Sequence, residues 1–273
     1  MLDGAPNRPA TCDVTGTSGH CLPVTEQGGH MSTFEINRRT AVRGVAASAL
    51  AGGVLVTAGQ GAGAVTAGES AASARPSTLK QGDRGWWVQN VQRRLLDANY
   101  WLRSADGVYG FGTAQAVMAL QKVHGLDRDG VVGPQTWKAI YAPRTPKPRT
   151  ASSWEIDKSR QIMMSARYGW SQWVFNTSTG SGKRYWSSAS GRYEYATTPS
   201  GSFRIFRGVN GEDKAPLGVL WRPRYFNGGI AVHGFDYVPG YPDSHGCCRV
   251  SDEGMNYIWW KNLLPIGRVV RVY

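Results

Sequence analysis

The stretch Ile230–Val250 reads IAVHGFDYVPGYPDSHGCCRV, and it decides how the second half of the chain is interpreted. Two histidines and two cysteines fall within sixteen residues: His233, His245, Cys247 and Cys248. A thiol is a competent nucleophile only as the thiolate, and a nearby imidazole is the usual means of forming one near neutral pH. The pattern therefore favours a Cys–His nucleophilic site, in which Gly246 allows a tight turn whose backbone N–H groups can face an oxyanion.

Two other arrangements of the same side chains compete with this interpretation. The four residues are of the right types for zinc, but adjacent cysteines point apart in an extended chain and the usual Cys-x2–4-Cys spacing is absent. A disulfide between neighbouring cysteines would require a strained peptide geometry. We therefore expect neither a metal nor any other cofactor at this site.

Outward from this stretch, residues 153–273 show the pattern of short strands. Segments such as WSQWVFNTSTG, GSFRIFRGV and GRVVRVY are rich in β-branched or aromatic residues and are bounded by Gly, Asn and Pro. One segment, SDEGMNYIWWKNLL, has helical spacing, with Ser251 or Asp252 as its N-cap. The sequence predicts a mostly β domain of the sandwich or barrel-like kind with one main helix.

Residues 77–141 instead show helical periodicity. Trp87, Val88, Val91, Leu95 and Leu96 recur at steps of three and four, which predicts an amphipathic helix. A second helix follows over TAQAVMALQKVHGL, and a shorter one over PQTWKAIY. The expected boundaries are set by four residues: Asp83 and Thr113 as N-caps, Gly125 as the stop of the second helix, and Pro134 in the first turn of the third. The sequence predicts a small all-α three-helix bundle.

The remaining segments are read as a linker and an export signal. Residues 142–152 contain three prolines and no large apolar side chain, as in a stiff linker. Residues 1–74 lack the apolar side chains that a folded core needs, and they place the basic run NRRTAVRG before the apolar run VAASALAGGVLVTAG. That order is typical of a cleaved export signal, and Arg38 with Arg39 suggests the twin-arginine type; a single membrane anchor is the alternative.

Two resemblances add to this reading. The helical block, with its repeated DGVxG turns at 106–110 and 129–133, resembles the type-1 peptidoglycan-binding module of wall enzymes. The second block resembles the YkuD-type L,D-transpeptidases, whose signature is a histidine, a short loop, and then Ser/Thr-His-Gly-Cys followed by an apolar residue and Arg or Asn. In this chain Cys248 takes the apolar position, so we expect it to pack in the core, opposite to Cys247.

The second resemblance implies a role for each matching residue. Cys247 would be the nucleophile, His233 the proton donor and acceptor, and the Gly234 carbonyl the group that orients His233. The turn Ser244, His245 and Gly246 would shape the site and supply oxyanion donors together with the N–H of Cys247. Arg249 would hold the site or meet a substrate carboxylate. Tyr225 falls where family members carry a substrate-side aromatic residue, and the alternative is an ordinary core tyrosine.

The same resemblance implies an exported, cell-wall-associated acyltransferase that forms 3→3 peptidoglycan cross-links through a thioester, with release of D-Ala. Its partners would be tetrapeptide stems as donor and acceptor. The alternatives are an L,D-carboxypeptidase on the same scaffold and a catalytically silent wall-binding protein. The net charge of +12 fits anionic wall polymers. No basic run or nucleic-acid module is present in the sequence, so we do not expect nucleic-acid binding. We expect a monomer.

Overall fold

The structure, a computed structural model, describes residues 74–273. The predicted export signal therefore lies outside the described residues. Within residues 74–273, no helix combines the length and the apolar character that crossing a membrane requires.

Three helices form the first part of the described chain: α1 Trp86–Asp97, α2 Phe111–His124 and α3 Pro134–Tyr141. The buried side chains of α1 follow the predicted apolar face, with Val88, Val91 and Leu95 enclosed in the core. Helix α2 ends as predicted at Gly125, whose φ of 67° places it in the left-handed region that glycine adopts without a steric penalty. Pro134 opens α3, also as predicted.

The predicted N-caps of the first two helices are wrong, because both helices begin directly after a glycine. Helix α1 follows Gly85, so the Asp83 carboxylate lies outside the helix and accepts a backbone N–H within its own turn. Helix α2 follows Gly110, so Thr113 lies inside its first turn. There the Thr113 hydroxyl accepts a hydrogen bond from Gln92 Nε2 at 2.9 Å.

A buried glutamine on each of these helices holds the turn that leads into the next helix. Gln92 Nε2 donates to Asp106 Oδ1 at 2.9 Å, while its Oε1 accepts from the N–H of Gly107 at 2.8 Å. Gln121 on α2 makes the corresponding bonds to the second turn, at residues 129–131. The repeated DGVxG motif is thus a repeated hydrogen-bond arrangement.

Within residues 74–273 the strands form two five-stranded sheets and a hairpin. The first sheet has the order β3-β2-β1-β12-β6, and the second has the order β11-β10-β9-β7 with β8 also paired to β9. Strands β4 and β5 pair only with each other. The strand bounds are β1 Trp154–Asp157, β2 Ile162–Arg167, β3 Trp170–Asn176, β4 Arg184–Ser187, β5 Arg192–Tyr195, β6 Gly201–Arg204, β7 Arg207–Gly208, β8 Glu212–Ala215, β9 Gly218–Asn227, β10 Ile230–Phe235, β11 Cys248–Ser251 and β12 Val269–Val272.

The two sheets share one hydrophobic core, in which Ile156 and Val270 of the first sheet pack with Val232 of the second. Helix α4, Asp252–Trp260, follows β11 directly and is capped as predicted by Ser251, whose Oγ accepts the N–H of Gly254 at 3.1 Å. The predicted mostly β fold of the second block, with one main helix, is confirmed.

The three helices pack against the first sheet and share a core with it. Ile162, Met164 and Val174, from β2 and β3, belong to the same buried cluster as the apolar faces of the helices. Residues 142–152 run along this junction, where the Ser171 hydroxyl donates to the Pro146 carbonyl at 2.6 Å. The helices and the strands therefore form one compact unit.

Candidate functional site

Strands β10 and β11 place Cys248 on the core side of the second sheet. The strands are parallel, with Val232 opposite Cys248 and His233 opposite Arg249. Because side chains alternate along a strand, Val232 and Cys248 face the core while His233 and Arg249 face away from it. Cys248 is fully buried, and burial raises the pKa of its thiol well above the usual value. The prediction that Cys248 packs in the core is confirmed.

Cys247 lies just before the amino end of β11 and is half-buried. Its Sγ accepts the N–H of Ala231 at 3.5 Å and donates to the Gly229 carbonyl at 3.7 Å. Burial raises the pKa of this thiol, whereas the Ala231 N–H and the positive charge of Arg249 oppose that rise. Both cysteines are free. Because the pKa of the Cys247 thiol is raised above its usual value, this thiol is neutral at pH 7 in the resting enzyme.

His233 is held as a neutral imidazole with a defined tautomer. Its Nδ1 lies 2.7 Å from the carbonyl oxygen of Gly234, and because a carbonyl can only accept, the proton lies on Nδ1 and leaves Nε2 free to accept one. The pKa of His233 is lowered to about 4, chiefly by burial and also by the nearby charge of Arg249, while the hydrogen bond to Gly234 opposes this lowering. The ring is 2 % exposed. These properties suit a general base.

Gly234 is required for packing as well as for its carbonyl. A Cβ at this position would come within 2.5 Å of Asp252 Oδ1 and 2.6 Å of Trp221 Cδ1. Neither neighbour can move freely, because Asp252 begins α4 and Trp221 Nε1 is tied to Asn256 at 2.8 Å. Any larger residue would displace the strand that carries His233.

The turn before Cys247 is closed by the Ser244 side chain. Ser244 Oγ donates to the Cys247 carbonyl at 2.6 Å and accepts the N–H of Gly246 at 3.0 Å. The Ser244 N–H itself donates to the Thr179 carbonyl at 3.0 Å. Gly246 has a φ of +141°, which disfavours any residue with a Cβ.

These bonds change the predicted set of oxyanion donors. The N–H groups of Ser244 and Gly246 are already engaged, so their predicted part as donors is not supported, and both residues shape the turn instead. The N–H groups of His245 and Cys247 have no hydrogen-bond partner among the described residues. Two donors therefore remain at the turn.

Arg249 is a fixed cation beside the site. Its Nη1 lies 3.4 Å from Asp243 Oδ2, and its guanidinium lies 4.2 Å from the ring centre of Phe235. The same charge lowers the pKa of both His233 and Cys247. Arg249 is therefore close enough to both groups to act on their titration.

Tyr225, the other predicted substrate contact, is enclosed within the second sheet. It pairs with Ala231 of β10, but it is buried and its hydroxyl donates to Asp213 Oδ2 at 2.8 Å. The Arg207 guanidinium covers the ring at 4.7 Å. Burial, followed by Asp213, raises the pKa of Tyr225 to about 12. The structure thus places Tyr225 near the site without an exposed face for substrate.

Tyr185, on the β4–β5 hairpin, reaches the site but was not identified from the sequence. Its ring meets that of His245 edge to face at 4.6 Å, and the neighbouring Cys247 is among the groups that raise its pKa, after burial and Glu194. The aromatic residues of RYWSSASGRYEY lie on both sides of a small-residue turn, which is a hairpin signal that could have revealed it. Among the described residues, no cluster of three or more His, Cys, Asp or Glu side chains is placed to hold a metal ion.

Comparisons with known proteins bear on the whole described region. Residues 153–272 match the family model described as "L,D-transpeptidase catalytic domain", and residues 87–140 match the one described as "Putative peptidoglycan binding domain". The crystal structure of an L,D-transpeptidase from Xylanimonas cellulosilytica is 44% identical, covers 72% of this chain and 98% of its own, and has a TM-score of 0.69. The chain belongs to the L,D-transpeptidase family.

Curated relatives of this L,D-transpeptidase family member share only a part with it. A probable N-acetylmuramoyl-L-alanine amidase from Bacillus licheniformis is 39% identical over 80 residues, which are 29% of this chain and 23% of the amidase. The amidase CwlL from the same species is 43% identical over 77 residues, or 28% of this chain and 21% of its own. The chain thus spans less than a quarter of the length of these relatives. The family predicted from the sequence motifs is confirmed by the matches to the two family models and to the Xylanimonas structure.

Proposed function

We propose that this enzyme is an exported, wall-associated L,D-transpeptidase that joins peptidoglycan stems by 3→3 cross-links, with Cys247 as nucleophile. One observation carries the proposal. The neutral His233 ring has its Nδ1 proton committed to Gly234, which leaves Nε2 as acceptor on the face of the sheet opposite to the core. A neutral acceptor on the strand next to the one that follows a neutral thiol suits a reaction in which the thiol loses its proton as it attacks.

In the first half of the reaction, Cys247 Sγ attacks the carbonyl carbon of the L-centre of diaminopimelate, and His233 Nε2 takes the thiol proton. The carbonyl oxygen becomes an oxyanion, which the free N–H groups of His245 and Cys247 stabilise. The intermediate then collapses with cleavage of the amide bond. The proton on His233 passes to the leaving amine, D-Ala departs, and a thioester remains.

In the second half, an amine from a neighbouring stem attacks the thioester carbonyl, and His233 takes the proton that this amine loses. Collapse breaks the C–S bond, and the proton returns to the Cys247 sulfur, which regenerates the neutral thiol. If water attacks in place of the amine, the product is a tripeptide and the enzyme is an L,D-carboxypeptidase.

The remaining parts of the proposal concern the other segments. Residues 77–141 would form a three-helix peptidoglycan-binding domain, 142–152 its linker, and 153–273 the catalytic domain. Residues 1–74 would comprise an N-terminal segment and a cleaved export signal of the twin-arginine type. The positive net charge favours contact with anionic wall polymers. We propose a monomer with no cofactor, in which Arg249 meets a substrate carboxylate.

The test is to incubate the enzyme with a purified disaccharide-tetrapeptide that contains diaminopimelate and to identify the products by mass spectrometry. A dimer that has lost one D-Ala supports transpeptidation, whereas tripeptide alone supports carboxypeptidation. Absence of turnover would contradict both and favour a silent wall-binding protein.

Two matched variants test the role of each thiol. Cys247→Ala should abolish every product and the acyl-enzyme mass shift of the intact protein. Cys248→Ala makes the same chemical change one position away and should retain a substantial part of the activity. Equal loss in both variants would refute the assignment of Cys247 as the nucleophile.

A further inference from the structure

A groove separate from the candidate site follows the junction between the three helices and the β-rich part. It consists of two adjoining cavities of about 590 Å³ and 630 Å³ that share Leu102, Arg103 and Glu253 as lining residues, and we call it the junction groove. One cavity reaches Asp236, just beyond the carboxyl end of β10. Cys247, by contrast, lies before the amino end of β11. The groove is therefore distinct from the reactive thiol.

One end of the junction groove is aromatic. It is lined by Trp101, Trp173, Tyr257 and Trp260. The Tyr257 ring lies 5.9 Å from that of Trp173 and 6.2 Å from that of Trp260, so the rings hold one another in place. Trp260 is nevertheless 73 % exposed. The Lys261 ammonium lies 3.9 Å from the centre of the Trp260 ring, and the rest of this ring is open to solvent. A pre-ordered, exposed ring is typical of a binding surface, because little side-chain entropy is lost when a ligand covers it.

The other end is polar and has unused hydrogen-bonding capacity. Arg103, Asp236 and Glu253 line it. Among the described residues, these three side chains have no hydrogen-bond or ion-pair partner. A ligand in the groove would meet both donors and acceptors there.

The chemistry and the position of the groove point to one kind of ligand. A pyranose ring presents an apolar C–H face that suits an aromatic ring and a rim of hydroxyl groups that suits carboxylates and guanidinium. Pockets of this mixed lining are common at the junction of two domains. Here Leu96 and Leu102 come from the segment that matches the peptidoglycan-binding model, and Tyr257 comes from the catalytic segment. A sugar polymer in this groove would contact both parts of the enzyme at once.

We propose that the junction groove binds the glycan strand of peptidoglycan, an oligosaccharide of N-acetylated amino sugars. The sugar rings stack on Trp173 and Trp260, and their hydroxyl and N-acetyl groups bond to Arg103 and Glu253. This inference rests on the proposed function for the identity of the polymer. It goes beyond the proposed function because it assigns glycan binding to surfaces of both the helical segment and the catalytic segment, rather than to the helices alone.

The test uses the full chain and two probes: chitotetraose, which has N-acetylated sugars but no peptide, and the free tetrapeptide, which has no sugar. Binding of chitotetraose is measured by isothermal titration calorimetry. The variant Trp260→Ala removes the exposed ring of the groove. Trp170→Ala is the matched control, since Trp170 is 74 % exposed and lies outside the groove.

We expect Trp260→Ala to weaken chitotetraose binding by roughly five- to tenfold, the usual effect of losing one aromatic contact. Trp170→Ala should bind as the unmodified enzyme does, and turnover of the free tetrapeptide should be the same in all three proteins. The proposal is overturned if the unmodified enzyme does not bind chitotetraose, if Trp260→Ala binds equally well, or if Trp170→Ala loses as much. Failure to turn over the disaccharide-tetrapeptide, with Trp260-dependent binding of chitotetraose intact, would instead reject the proposed function and leave the groove assignment standing.

Discussion

Lys122 offers the sharpest test of how the helices are joined to the sheet. It lies on α2, is 2 % exposed, and its Nζ donates to the carbonyls of Gln161 and Thr177 at 2.8 Å and 2.9 Å. No carboxylate among the described residues forms an ion pair with it. Burial, aided by the charge of Arg128, lowers the pKa of Lys122 to about 6. We therefore expect an uncharged amine in the folded enzyme at pH 7, which can still donate both hydrogen bonds.

The magnitude follows from the difference between the folded and the unfolded pKa. An unfolded lysine titrates near a pKa of about 10.4, so between pH 7 and pH 9 the unfolded state binds about one proton more than the folded state at this position. The free energy of unfolding then rises by about 1.4 kcal/mol per pH unit, or about 2.7 kcal/mol over the two units. The contribution of Lys122 to stability is complete above the unfolded pKa and is lost as the pH falls towards about 6.

The perturbation is Lys122→Met, which keeps the length of the side chain and removes its titration. Urea unfolding at pH 7, 8 and 9 should show that the unmodified enzyme gains about 2.7 kcal/mol relative to this variant, whatever their offset at pH 7. Lys138→Met, a change at an exposed lysine on α3, should leave the pH dependence as in the unmodified enzyme. Parallel curves for the unmodified enzyme and Lys122→Met would refute the reasoning, because they would mean that Lys122 stays charged when folded.

Two further predictions concern the site. Arg249→Gln removes a charge that lowers the pKa of His233, so the acid limb of the kcat/KM profile, expected near pH 4, should move to higher pH. Arg249→Lys keeps the charge and should leave this limb nearly in place. An unmoved acid limb in Arg249→Gln would contradict the role of the Arg249 charge. Ser244→Ala deletes two hydrogen bonds of the turn before Cys247. It should cost about 1–3 kcal/mol in urea unfolding and lower kcat more than it changes KM. Ser251→Ala, which removes the cap of α4, should cost a similar amount of stability with kcat retained, and a retained kcat in Ser244→Ala would speak against a role for the turn.

Several features could be predicted because they depend on local pattern. Buried side chains at steps of three and four marked α1, and β-branched and aromatic runs marked the strands of both sheets. Gly125 and Pro134 acted at helix ends through their own backbone preferences. The caps at Asp83 and Thr113 were wrong for a related reason. Each assumed that the nearest polar side chain begins the helix, whereas the chain turns at a glycine.

The candidate site was likewise predictable from the sequence only in part. The motif around Cys247 and the alternation of side chains along an extended strand were enough to place Cys248 in the core. Which N–H groups remain free at the turn could not be predicted, because Ser244 is engaged by Thr179, more than sixty positions earlier in the chain. The contact of Tyr185 with His245 likewise depends on how a separate hairpin packs.

The sequence by itself determined the family, the order of the two blocks, and the pair of side chains proposed for the chemistry, since these depend on residue identity and short spacing. The tertiary structure alone decided that Tyr225 is enclosed, that Lys122 is buried between helix and sheet, and that the helices and strands together form the junction groove. Each of these depends on solvent exclusion and on contacts between residues far apart in the chain, which no local pattern of residues contains.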